Sequence, residues 1–115
     1  MNKDNEQDKT LRIRTLNDQF RTMVMGNGTI VMTHRIQEFG DDNIVKIANI
    51  VQTYDDFSQE NDPHGEHDFG AFDFQEHKPF WKIDYYDLSL KMHSPDPSDE
   101  QITHRVLTIM LASEY

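Results

Sequence analysis

The chain has no cysteine, one tryptophan, four prolines and five glycines in 115 residues. Without cysteine there is no disulfide framework and no thiolate chemistry. No apolar run approaches the roughly 20 residues of a membrane span. The N-terminus MNKDNEQDK lacks the apolar centre of a secretion signal, so an intracellular protein is expected. No internal repeat, low-complexity tract, phosphate-cradling loop, dinucleotide fingerprint or nucleophile elbow occurs. Positive charge is also scarce, with eleven Lys and Arg against twenty-one Asp and Glu, for a formal net charge of −10. Such a surface repels nucleic acid and anionic lipid and admits a basic partner.

What the sequence does contain is concentrated in Tyr54–Asp87. That stretch holds ten of the twenty-one acidic residues and only Lys78 and Lys82 as bases. Asp55–Asp87 thus carries −8 of the total, while the flanks are near balance. The same stretch holds Trp81, three of the four Tyr and five of the seven Phe. It reads as core and charged surface together.

Ile13, Leu16, Phe20, Met23 and Val24 follow helical spacing and predict a helix over 10–25, after a flexible arm at 1–9. Gly26-Asn27-Gly28 ends it. Thr29–Thr33 reads as a short strand, and His34–Phe39 as one helical turn. Ile44, Ile47, Val51 and Tyr54 mark a second helix over 43–56. The period then changes to two. Phe72 and Phe74, then Trp81, Ile83 and Tyr85, then Leu88, Leu90 and Met92 alternate with polar residues, which predicts three strands of an antiparallel meander. Ser94-Pro95-Asp96-Pro97 ends the sheet. Ile102, Val106, Ile109 and Met110 predict a last helix over 99–112. The expectation is a single α+β domain over 10–115, with three helices packed on one face of the meander.

Asp62-Pro63-His64-Gly65-Glu66-His67-Asp68 is the densest group of ligand-type side chains. His64, Glu66, His67 and Asp68 could serve a divalent metal or a hydrolytic reaction. Their spacing matches no established ligand pattern, and Pro63 and Gly65 oppose a helix that would align the two imidazoles. Both histidines are therefore read as structural, with no metal, no cofactor and no catalytic residue. The aromatics Phe80, Trp81, Tyr85 and Tyr86 are not read as a base-stacking platform, since a basic groove for phosphates is missing, and core packing accounts for Trp81 and Tyr85. The uneven charge carries the functional expectation. Asp55, Asp56, Glu60, Asp62, Glu66, Asp68 and Asp73 would form a partner-binding surface, because a Lys/Arg-rich groove relieves their mutual repulsion.

The segments NDPHGEHDFGAF (61–72), FWKIDYYD (80–87), SPDP (94–97) and RVLTIMLASEY (105–115) resemble a family of short bacterial, plasmid-borne and phage-borne proteins of unknown function. The whole sequence also resembles phage anti-CRISPR proteins of the type I-F series. That resemblance implies a monomeric inhibitor, acting in the cytoplasm of a bacterial host. Its partner would be the type I-F surveillance complex, met at a Lys/Arg-rich DNA-binding surface where the duplex is admitted. It would bind no nucleic acid directly and no membrane.

Overall fold

The computed structural model describes residues 3–115, with side chains from residue 6 onward. Helix α1 (Lys3–Met23) begins within the segment expected to be an arm. Its inward stripe is Ile13, Leu16, Asn17, Phe20 and Arg21, all buried. Those positions keep the i, i+3, i+4, i+7 spacing of one helix face, but two of the five are polar. Met23 and Val24, expected on that stripe, are exposed instead. Strand β1 (Gly28–Met32), the short helix α2 (His34–Gln37) and helix α3 (Asp41–Gln52) follow. Asp41 and Asp42 lie in the first turn of α3, where the positive end of the helix dipole favours them. Ile47 and Val51 bury its inner face.

The sheet holds β2 (Phe69–Ala71), β3 (Pro79–Tyr86) and β4 (His104–Leu111) beside β1, in the order β1-β4-β3-β2. β4 runs antiparallel to β3 and parallel to β1. The sheet is therefore mixed, where a mainly antiparallel four-stranded sheet built on a meander was expected. A four-stranded mixed sheet with three helices makes this a single α+β domain.

Two predicted elements are corrected. The helix expected over 99–112 is β4, followed by a 3₁₀ turn at Ala112–Glu114. Arg105, Leu107, Ile109 and Leu111 are its buried row, a period of two whose first member is a cation, so its polar side chain masks the alternation. The strand expected at Leu88–Met92 is a turn instead. The Asp87 carboxylate accepts from the Ser89 hydroxyl (2.8 Å) and the Lys91 N–H (3.1 Å), and Leu90 takes a left-handed φ of 61°. Such local capture of backbone donors by Asp competes with strand pairing. Leu88, Leu90 and Met92, expected in the core, are consequently exposed.

Trp81, Ile83, Tyr85, Leu107 and Ile109 face the helices and form one core with Phe20, Ile36, Ile47 and Val51. Phe72 and Phe74 pack against that core as expected, though outside a regular strand. Gly70 lies across from Trp81. A Cβ at Gly70 would stand 2.2 Å from the indole nitrogen and 2.7 Å from the Tyr54 ring. Only glycine lets β2 approach the indole so closely.

Candidate functional site

The segment between α3 and β2 carries most of the expected site residues, and α1 holds it in place. Arg14 Nε donates to the Gly65 carbonyl at 2.6 Å, and Asn17 Nδ2 donates to the Glu66 carbonyl at 2.9 Å. His67 Nδ1 lies 3.0 Å from Asp18 Oδ1. Consecutive loop residues thus meet the consecutive turns of one helix face. Gly65 has φ 72° and His67 φ 55°, left-handed values that Gly accepts freely and His tolerates.

Beneath the loop are two linked networks. In the first, Asn17 is fully buried. Its Nδ2 also donates to Tyr85 Oη at 2.8 Å, while its Oδ1 accepts from Arg105 Nε at 2.6 Å. Tyr85 Oη in turn donates to Glu66 Oε1 at 2.8 Å. Burial, more than the neighbouring Glu66 charge, pushes the Tyr85 hydroxyl well above its usual range. In the second, Arg21 Nη1 donates to the Val51 carbonyl at 2.8 Å, and Nη2 contacts Asp18 Oδ1 at 3.3 Å. Its guanidinium sits over Phe57 (5.3 Å) and Trp81 (5.0 Å). The Phe57 ring stacks flat on His67, with centroids 3.7 Å apart. The buried arginines do not leave lone charges, because most of their N–H groups meet carbonyls, a carboxylate and an amide oxygen, while Arg21 Nε is buried without a partner among the described residues.

These contacts decide what the histidines can do. His67 has Asp18 on Nδ1, Asp62 at 3.6 Å from Nε2, and Phe57 over one ring face. Nδ1 is thus occupied by Asp18, and Nε2 faces the Asp62 carboxylate beyond hydrogen-bond distance. Among the described residues no group of three or more His, Asp or Glu is placed to hold a metal ion. His64 is exposed on the loop.

The seven carboxylates expected at the partner surface divide by environment. Asp62 is buried and accepts from the His67 backbone N–H at 3.0 Å. Glu66 is half-buried and tied to Tyr85. Asp68 is half-buried, and burial together with nearby Glu66 raises its pKa above the usual carboxylate range. Asp73 is exposed and paired with Lys78 at 2.6 Å. Asp55, Asp56 and Glu60 are exposed. Sequence reading missed three further exposed acids, Asp41, Asp42 and Glu76. The Gln75 side chain donates to Asn43 Oδ1 at 3.3 Å, and Phe39 meets Phe74 edge to face. Those contacts bring Asp73 and Glu76 to the N-terminal end of α3, beside Asp41 and Asp42. Asp55, Asp56 and Glu60 follow its C-terminal end. The helix between them has twelve residues and is about 18 Å long. The N-cap chemistry of Gly40-Asp41-Asp42 was visible in the sequence, but its nearness to residues 73–76 is a tertiary fact.

Fold and loop together define a small α+β protein whose charged segment is anchored by a buried polar network and presents carboxylates at both ends of one helix. A family model described as a protein of unknown function (DUF3768) matches residues 32–114. The chain belongs to that family. No curated protein and no solved structure matches it. Helix α1, which supplies Arg14, Asn17, Asp18 and Arg21 to the loop, lies outside the matched segment.

Proposed function

We propose that this protein is a stoichiometric inhibitor that binds the type I-F CRISPR surveillance complex and keeps target DNA from it, with its carboxylates standing in for phosphate oxygens. The observation that carries the reading is the exposed acid at both ends of α3: Asp41, Asp42 and Glu76 at one, Asp55, Asp56 and Glu60 at the other. Carboxylates flanking a helix about 18 Å long would suit a surface that holds a run of phosphates by Lys and Arg. A complex that admits duplex DNA and reads a short flanking motif has such a surface. The resemblance of the whole sequence to phage anti-CRISPR proteins of the type I-F series supports the same partner. A hydrolytic or metal-dependent role for His64, Glu66, His67 and Asp68 has less support, because His67 and Glu66 are occupied in holding the loop.

The test is target-DNA binding by the surveillance complex with increasing amounts of this protein. Block is expected at equimolar protein, insensitive to chelators and weakened by salt, because screening limits such charges to about 8 Å at physiological ionic strength. Changing the six exposed acids to Asn and Gln is expected to release the block while leaving thermal unfolding unchanged. Asp62 and Glu66 are left intact, since both are part of the fold. Undiminished inhibition by that folded variant would overturn the reading, as would turnover at sub-stoichiometric protein.

A further inference from the structure

On the sheet face that the helices leave open, Phe69 of β2 and Phe80 of β3 meet edge to face, with ring centroids 5.0 Å apart. Tyr115 completes the group, 6.4 Å from Phe69 and 5.9 Å from Phe80. With the loop around Glu60–His64 these rings wall a groove of about 460 Å³. Open aromatic surface of this kind marks a binding place more often than a solvated one.

The charges lining the groove narrow what it can take. Lys82 is held by Asp84 at 2.9 Å, and that hydrogen bond raises its pKa. The pair is neutral overall. Glu60 and Asp68 also line the groove, and neither forms an ion pair among the described residues. His64 is the remaining titratable group at the rim. A carboxylate ligand would meet Glu60 and Asp68 and be repelled. A neutral apolar ligand would bury the Asp68 carboxylate without a partner, which is unfavourable. A planar cation fits both features, because it stacks on rings while its edge N–H groups reach carboxylate oxygens. An ammonium reaches one carboxylate but cannot stack.

We infer that this groove receives an arginine side chain from a basic protein partner, with Phe69, Phe80 and Tyr115 against the guanidinium plane and Glu60 and Asp68 accepting its N–H groups. The inference rests on the proposed meeting with a Lys/Arg-rich surface and names the residue type that docks at this point.

Titrating isotope-labelled protein with N-acetylarginine methylamide, followed by NMR, tests the groove without any complex. Saturable shifts are expected at Glu60, Asp68, Phe69, Phe80 and Tyr115, with the lysine counterpart about two- to fivefold weaker. Asp68→Asn and Tyr115→Ala should each weaken arginine binding. Tyr115 is 75% exposed, so its loss leaves the fold intact. Absence of saturable shifts, shifts spread evenly over surface acids, or equal binding of lysine would overturn the inference. If the probe binds but the wild-type protein leaves the surveillance complex unaffected, the groove stands and the proposed partner falls. If the complex is blocked equally by wild type and by the Asp68→Asn, Tyr115→Ala double variant, the partner stands and the groove falls.

Discussion

Asn61–Asp68 and Asp87–His93 are both loops beside the sheet, and their compositions are opposite to their environments. The first is rich in charge, yet Asp62 is buried and Glu66, His67 and Asp68 are half-buried. The second carries Leu88, Leu90 and Met92, and all three are more than half exposed. The charged loop is drawn in because α1 offers matched donors and acceptors at Arg14, Asn17 and Asp18. The apolar loop stays out because Asp87 closes a tight turn before any strand can pair. Specific polar partners can thus outweigh hydrophobicity in deciding which of two loops is anchored.

The comparison can be broken most severely from beneath the first loop. Trp81→Ala removes the ring that Arg21 and Tyr54 rest on. It is expected to cost about 3–5 kcal/mol in urea unfolding, and a change near zero would deny Trp81 its core role. Asn17→Ala leaves Arg105 Nε and the Glu66 carbonyl without their buried partner. A loss of about 2–3 kcal/mol is expected, together with faster amide exchange across Gly65–Asp68. Stability loss without that local exchange would show that the loop does not depend on α1.

Asp68 sharpens the contrast through pH. Its raised pKa means that the folded chain keeps this proton to higher pH than the unfolded chain, whose Asp titrates near about 3.9. Stability therefore falls as pH rises through the window between those values, and the penalty persists at neutral pH. Asp68→Asn removes it. The variant is expected to unfold at higher urea than wild type at pH 7, with the difference vanishing below about pH 4. A difference that grows toward low pH would reverse the assignment. The smallest effect belongs to the second loop. Leu88→Ser and Met92→Ser should each shift stability by less than about 0.5 kcal/mol, and a larger loss would mean that the loop is anchored after all.

Helices α1 and α3 and strand β3 were legible from their periods and β1 from its β-branched residues, although on α1 the buried stripe takes in Asn17 and Arg21 and leaves out Met23 and Val24. β4 was not, since Arg105 occupies an inward position that Asn17, 88 residues away, and the Pro97 carbonyl make acceptable. Leu88–Met92 carried a strand pattern that Asp87 overrode locally. Of the site, the acidic character was legible in composition, whereas the division into anchoring and exposed carboxylates was not. Asp62 and Glu60 are chemically alike in sequence, and only the positions of His67 and of the groove separate them. The open aromatic face was not legible, because it depends on the register of β2 on β3, which turns Phe69 and Phe80 away from the helices.

Strand β4 lies between β1 and β3, and its pairing with β1 joins Gly28 to Arg105. Until residues 104–111 arrive β1 has no strand partner and β3 is paired only with β2, so a partly synthesised chain offers two unpaired edges at once. Assembly must await closure of a loop of more than seventy residues, which makes for slow, high-contact-order folding.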